Sequence, residues 1–204
     1  MDKELFIIKE KLKNKKPTAI GVKSAYSIFI PLIKKKGKIH LLFEKRSMNL
    51  RNQPGEISFP GGKIEKGESP RDAAIRETCE ELLIKKTDLT IISKGDFLVN
   101  PNLAIIYSFI GTINLDFDSI KASKDEVESI FTVPLEFFIN NKAKTYKMKV
   151  DVKRDESFPY DLIPGGKNYN WRRGLEEVNF YIYENHVIWG FTAKMVRQFI
   201  ENVF

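Results

Sequence analysis

Gly62-Lys-Ile-Glu-Lys-Gly-Glu68-Ser-Pro-Arg-Asp-Ala-Ala-Ile-Arg76-Glu77-Thr-Cys-Glu80-Glu81-Leu-Leu-Ile84 reads as a glycine turn followed by a helix dense in carboxylates. Ser69 is a natural N-cap, Pro70 suits the first helical position, and Asp72 completes an S-x-x-D capping box. Ile75, Thr78, Cys79 and Leu82 recur at three- and four-residue spacing and form a mostly apolar stripe. Cys79 therefore reads as core and not as a nucleophile. Glu77, Glu80 and Glu81 fall on the opposite side, where like charges three and four apart are destabilising by roughly a few tenths of a kcal/mol per pair. A hard divalent cation removes that cost, and carboxylate oxygens suit Mg²⁺ or Mn²⁺.

The stretch resembles the Nudix box, G-x5-E-x7-R-E-U-x-E-E-x-G-U, where U is bulky and apolar. Gly62, Glu68, Arg76, Glu77, Glu80, Glu81 and Ile84 match in place. Thr78 stands at a U position and keeps a β-branched methyl. Leu83 replaces the glycine after the helix, and losing the residue best able to turn left-handed predicts a different helix exit. A Glu-rich surface helix is the bland alternative for the three acids alone. The Gly61-Gly62 turn, Glu68 and Arg76 at their spacings weigh against it. The resemblance implies an α/β Nudix fold with a mixed β-sheet sandwiched between helices. It implies Glu77, Glu80 and Glu81 as ligands of Mg²⁺ or Mn²⁺, with the Gly61 carbonyl as a further ligand. Glu68 and Arg76 are implied as a structural ion pair that fixes the loop against the helix, and Gly62 as structural.

Upstream sits Leu42-Phe-Glu-Lys-Arg46-Ser47-Met-Asn-Leu-Arg51-Asn-Gln-Pro-Gly55-Glu-Ile-Ser-Phe59-Pro60-Gly61-Gly62. This is similar to the signature of the coenzyme A pyrophosphatase branch, L-L-T-x-R-S-x3-R-x3-G-x3-F-P-G-G. Arg46, Ser47, Arg51, Gly55, Phe59, Pro60, Gly61 and Gly62 fit, whereas Phe43 and Glu44 replace the second Leu and the Thr. Glu44 is thus an acid where a neutral residue is usual. Coenzyme A carries a phosphate beside its pyrophosphate, so its site needs fixed cations, and the arginine fork suits phosphate. Arg46 and Arg51 are the implied substrate-binding pair. Two further stretches resemble the same branch, Ser123 to Leu135 and Val187 to Ala193.

The implied reaction is metal-dependent hydrolysis of the pyrophosphate of coenzyme A or a derivative to 3′,5′-ADP and 4′-phosphopantetheine. Glu126 is the first candidate for the general base and a further metal ligand, with Glu77 as the other candidate base. Two alternatives stand beside this reading. One is a Nudix hydrolase of another nucleoside diphosphate derivative, such as ADP-ribose or NADH. The other is a non-catalytic Nudix-like module that binds a nucleotide or RNA.

Whole-chain features set bounds. The 204 residues suggest a single domain spanning 1–204, with 42% apolar residues for its core. One cysteine excludes an intramolecular disulfide and points to the cytoplasm. Neither a signal peptide nor an apolar run of membrane-spanning length is legible. The net charge of +7 would steer an anionic small molecule, and the basic residues are dispersed, with short clusters at 34–36 and 172–173. The expected partner is a small-molecule substrate, coenzyme A or a related nucleotide, with no nucleic acid and no membrane; a homodimer is left open.

Patterning predicts strands at 25–33, 38–46, 89–99, 104–113, 127–133, 145–153 and 178–183. It predicts a short helix at 134–141 and an amphipathic one at 190–203. Residues 154–176 read as an inserted polar loop, whose Tyr160, Tyr169 and Trp171 either cover a substrate or fill a lid.

Overall fold

Alternation along two central strands builds the architecture. In the computed structural model, which describes residues 2–15, 17–100, 104–151, 153–171 and 174–204, β1 is Ser24–Lys35 and β2 is Lys38–Arg46. They pair antiparallel through a tight turn at Lys36 and Gly37, both with positive φ (48° and 78°), the geometry that matches the twist of a hairpin. Ile28, Ile30, Leu41 and Phe43 feed one apolar core, while Phe29, Ile33 and Leu42 feed another on the opposite face. The period of two along a strand produces that split.

Further elements extend this pair: α1 (Lys3–Leu12), β3 (Ile57–Ser58), β4 (Gly61–Lys63), α2 (Pro70–Leu82), β5 (Leu89–Lys94), β6 (Leu98–Asn100), β7 (Ala104–Ile113), β8 (Val127–Pro134), α3 (Leu135–Asn140), β9 (Lys144–Val150), β10 (Gly174–Tyr183), β11 (His186–Trp189) and α4 (Gly190–Val203). An eight-stranded sheet has the central order β3-β2-β1-β7-β5, with β4, β6 and β8 pairing β1, β7 and β2. The β1–β7 ladder is parallel and the others are antiparallel, so the sheet is mixed. Ala74 and Leu82 of α2 pack into the core on one face. On the other face Val196 and Phe199 of α4 pack with Phe138 of α3 and with Tyr181 and Ile188 of a three-stranded sheet, β11-β10-β9. The result is the α/β arrangement of a mixed sheet between helices.

Several expectations shift. The 89–99 run splits into β5 and β6, because the ladder to β7 slips between Ile91 and Ser93 and the Gly95 amide then donates to the Ser108 carbonyl at 2.9 Å. The strand expected at 145–153 ends at Val150, which pairs Gly174, so β10 starts before 178 and the inserted loop ends before 174. Val152 and the Arg172-Arg173 cluster lie outside the described residues. Four elements were not foreseen: α1, β11 and the short β3 and β4. Asp2 caps α1, its side chain accepting from the Glu4 amide at 3.1 Å, and β11 is only four residues long. Finally, the exit of α2 does not change. Leu83 itself takes the left-handed conformation (φ 50°, ψ 41°), and its amide and that of Ile84 both close on the Cys79 carbonyl. Leu83 thereby holds a conformation that glycine adopts more easily.

Candidate active site

The carboxylate helix begins as its capping box dictates. Ser69 Oγ accepts from the Asp72 amide at 3.1 Å and donates to Asp72 Oδ2 at 2.7 Å. Within the helix, the buried Thr78 hydroxyl is satisfied by the Ala74 carbonyl at 2.6 Å, which lets a polar residue occupy the apolar stripe. The three acids do not share one stripe, a correction with a simple cause. At about 100° per residue, Glu77 and Glu81 lie about 40° apart, whereas Glu80 and Glu81 lie about 100° apart. Glu81 is therefore buried, Glu77 half-buried and Glu80 exposed.

Carboxylate oxygens of Glu77, Glu81 and Glu126 lie within 4.8 Å of one another. Backbone bonds draw Glu126 in from across the sheet. The Ser123 amide donates to the Glu81 carbonyl at 2.8 Å, Glu126 turns back onto Ser123, and the Ser47 amide at the end of β2 donates to the Glu126 carbonyl at 2.8 Å. Glu80 instead reaches Arg76 Nη1 at 3.1 Å.

Arg76 organises the rim. Its Nε and Nη2 grip Glu68 at 2.9 and 3.1 Å, Nη2 donates to the Lys63 carbonyl at 3.2 Å, and Nη1 meets Glu77 at 3.0 Å. One planar fork thus ties the loop, β4 and an acid of the cluster together. The two glycines of the turn are needed at close quarters. The Gly61 amide donates to Glu81 Oε2 at 2.8 Å, at φ 151°, and a Cβ there would overlap the Ser27 carbonyl. A Cβ on Gly62 would overlap the Glu77 carboxylate.

One acid in this region was not among the expected site residues. Glu44 lies on β2 two residues after Leu42, so it faces α2, and it is fully buried. Its Oε1 accepts from the Ser58 hydroxyl at 2.9 Å, while its Oε2 has no hydrogen-bond partner among the described residues. The inward phase of β2 was legible in the sequence, and continuing it past Leu42 would have found this acid. Burial pushes the Glu44 carboxyl up to about 7, against the pull of Ser58 and Arg46. Burial, then the neighbouring Glu44 charge, holds the Glu81 carboxyl far above the usual range even though the Gly61 amide favours its charged form. Glu77 is raised too, by burial, with Arg76 opposing. These acids disfavour one another's ionisation, and hard oxygen donors in that grouping fit a divalent ion, which stabilises their charged forms.

The arginines differ. Arg46 borders the cluster: its backbone closes the 47–55 loop by bonds to Glu56 and Gly55, and its Nε is buried without a partner among the described residues. Arg51 is exposed in a bend of that loop and takes part in no side-chain hydrogen bond or ion pair among the described residues. The loop aromatics pack on one another. Tyr169 and Trp171 centroids lie 4.8 Å apart, Phe158 meets Tyr160 at 5.0 Å, and the Arg154 guanidinium covers Trp171 at 4.4 Å. Cys79 is partly exposed, with its thiol pushed up by burial, unlike a reactive thiolate.

A family model described as the NUDIX domain matches residues 23–150. Nudix hydrolase 3 of Caenorhabditis elegans is 30% identical over 183 residues, covering 86% of this chain and 71% of that protein. The peroxisomal coenzyme A diphosphatase NUDT7 of Mus musculus is 31% identical over 148 residues, covering 71% of this chain and 62% of its own length, less than two thirds. A MutT/nudix family protein from Enterococcus faecalis superposes with a TM-score of 0.51 at 12% identity, over 100% of this chain and 70% of that one, a likeness of fold alone. With the box, the mixed sheet and a family match over more than half of its length, the chain belongs to the Nudix hydrolase family.

Proposed function

We propose that the chain hydrolyses the pyrophosphate bond of coenzyme A or one of its derivatives, giving 3′,5′-ADP and 4′-phosphopantetheine or its acyl form. The observation that carries this choice of substrate is Arg46, a guanidinium with a buried, unpartnered Nε at the edge of the acidic cluster, inside the signature that precedes the box. A coenzyme A diphosphatase among the relatives agrees with it.

Nudix hydrolases use divalent ions, here Mg²⁺ or Mn²⁺, and such an ion, when bound, neutralises phosphate oxygens and acidifies water. Glu77, Glu81 and Glu126 hold it, with Glu80 and the Gly61 carbonyl as further ligands on the family pattern. Gly61 keeps Glu81 aligned through its amide, and Arg76 fixes Glu77. Arg46 binds a phosphate oxygen, and Arg51, exposed in the loop of the same signature, is the second cation of this reading. Glu126, on a turn and exposed, is the group best placed to accept the proton of the attacking water; Glu77 is the other candidate. The chain acts as one domain, since residues from β1 to α4 share a core. A cytoplasmic location belongs to this reading, and no helix among the described residues is long and apolar enough to cross a membrane.

The test is product analysis by mass spectrometry after incubation with coenzyme A and Mn²⁺. Both products are expected, with Glu81→Gln reducing the rate by about a hundredfold or more. Cleavage of ADP-ribose or NADH but not of coenzyme A would discard the substrate and keep the chemistry.

A further inference from the structure

We infer that Glu44 is a fourth carboxylate of the divalent-cation site, its free oxygen balanced by the bound ion, so that this residue strengthens the site's grip on Mg²⁺ or Mn²⁺. The inference rests on the metal-binding reading of Glu77, Glu81 and Glu126. It extends that reading to a residue outside the box and at a position where the related signature carries a neutral threonine.

Three observations point the same way. Glu44 is fully buried, on the face of β2 that packs against the helix bearing Glu77 and Glu81. Only one of its oxygens is anchored, by Ser58, and the other lacks a donor among the described residues. A buried polar atom without a partner costs roughly 1–3 kcal/mol, more when the group is charged, and a ligand at that atom offsets the cost. The local cations do not supply that compensation. Arg76 is taken up by Glu68, Glu77 and Glu80. Arg46 acts on Glu44 only through space, and the free Glu44 oxygen has no hydrogen bond from it among the described residues. Glu44 is not one of the three acids whose oxygens lie within 4.8 Å of one another, but it stands close enough to Glu77, Glu81 and Glu126 for their charges to act on it. A hard divalent cation held by those three is the species that offsets a fourth acid beside them.

Calorimetric titration of chelator-stripped protein with Mn²⁺ tests this without reference to turnover. Glu44→Gln preserves size and removes the charge. Glu44→Thr installs the residue of the related signature and serves as the second variant should the first fail to fold. Each is expected to weaken Mn²⁺ binding by about 10- to 100-fold while raising the melting temperature of the metal-free protein, because a buried charge is gone. Glu81→Gln is the reference. If Glu81→Gln weakens Mn²⁺ binding and the Glu44 variants bind as wild type, the inference is overturned and the site reading survives. If neither position matters, the site reading itself fails.

Discussion

Two helices cover opposite faces of one sheet, and they differ in what they bury. α4 buries Met195, Val196 and Phe199, satisfies its first-turn Thr192 hydroxyl on the Ile57 carbonyl at 3.0 Å, and keeps its ions at the surface, where Arg197 meets Glu201 at 2.8 Å. α2 buries Ala73, Ala74 and Leu82, but also Glu81 and the Thr78 hydroxyl, and it ends on a left-handed leucine. The first helix spends its inward face on cohesion. The second gives up part of that face to hold charge where water cannot screen it. A residue's contribution to stability and its contribution to chemistry are thus separated between helices of nearly equal length.

The largest expected effect tests the cohesive side. Phe199→Ala removes an aromatic anchor from the core under α4 and should lower stability by about 3 kcal/mol or more in urea melts. Turnover per folded molecule should stay near wild type, and a selective loss of rate would show that the two helices are coupled. Arg76→Lys tests the chemical side. It keeps the charge but loses the fork that joins Glu68, Lys63 and Glu77. We expect a fall in rate of about 10- to 100-fold with a stability change under about 1 kcal/mol, since these pairs are partly exposed. The smallest effect is at the helix exit. Leu83→Gly relieves a left-handed side chain that is largely exposed and should stabilise by about 1 kcal/mol. A loss of stability there would mean that the leucine packs better than its exposure suggests.

The contrast also explains what could be read in advance. The strands at 24–35, 38–46 and 104–113 and the helix at 190–203 carry periods dominated by apolar residues, and they appear where the pattern puts them. The capping box fixed the start of α2 for a local reason, hydrogen bonds between residues three apart. Elements whose cause is not local were missed or misplaced. The start of β10 is set by pairing to β9, and the split of the 89–99 run by a register slip. At the site, spacing named the box acids. The resemblance put Glu126 forward as well, 45 residues further along the chain than Glu81, and its carboxylate does lie beside Glu77 and Glu81; what neither could say is that Glu80 turns to Arg76. Glu44 was visible as a departure from a signature, but its burial depends on three strands and a helix closing round it.

On the proposed reading the acidic edge of α2 holds a cation, and without one its buried acids weigh on stability. The folded-state carboxyls of Glu44 and Glu81 lie above the ordinary value of 4.5. Folded protein therefore holds protons that unfolded chain releases, and stability must fall as pH rises from about 4.5 through 7 and beyond. A bound divalent ion offsets the loss by stabilising the charged forms. Thermal melts of chelator-stripped wild type at pH 5.5 and 8, each repeated with saturating Mn²⁺, test this most directly. A lower melting temperature is expected at pH 8 without metal. A rise of about 5–10 °C is expected when Mn²⁺ is present at about 100 times its dissociation constant. A melting temperature at pH 8 that ignores Mn²⁺ would contradict a cation-binding role for this edge.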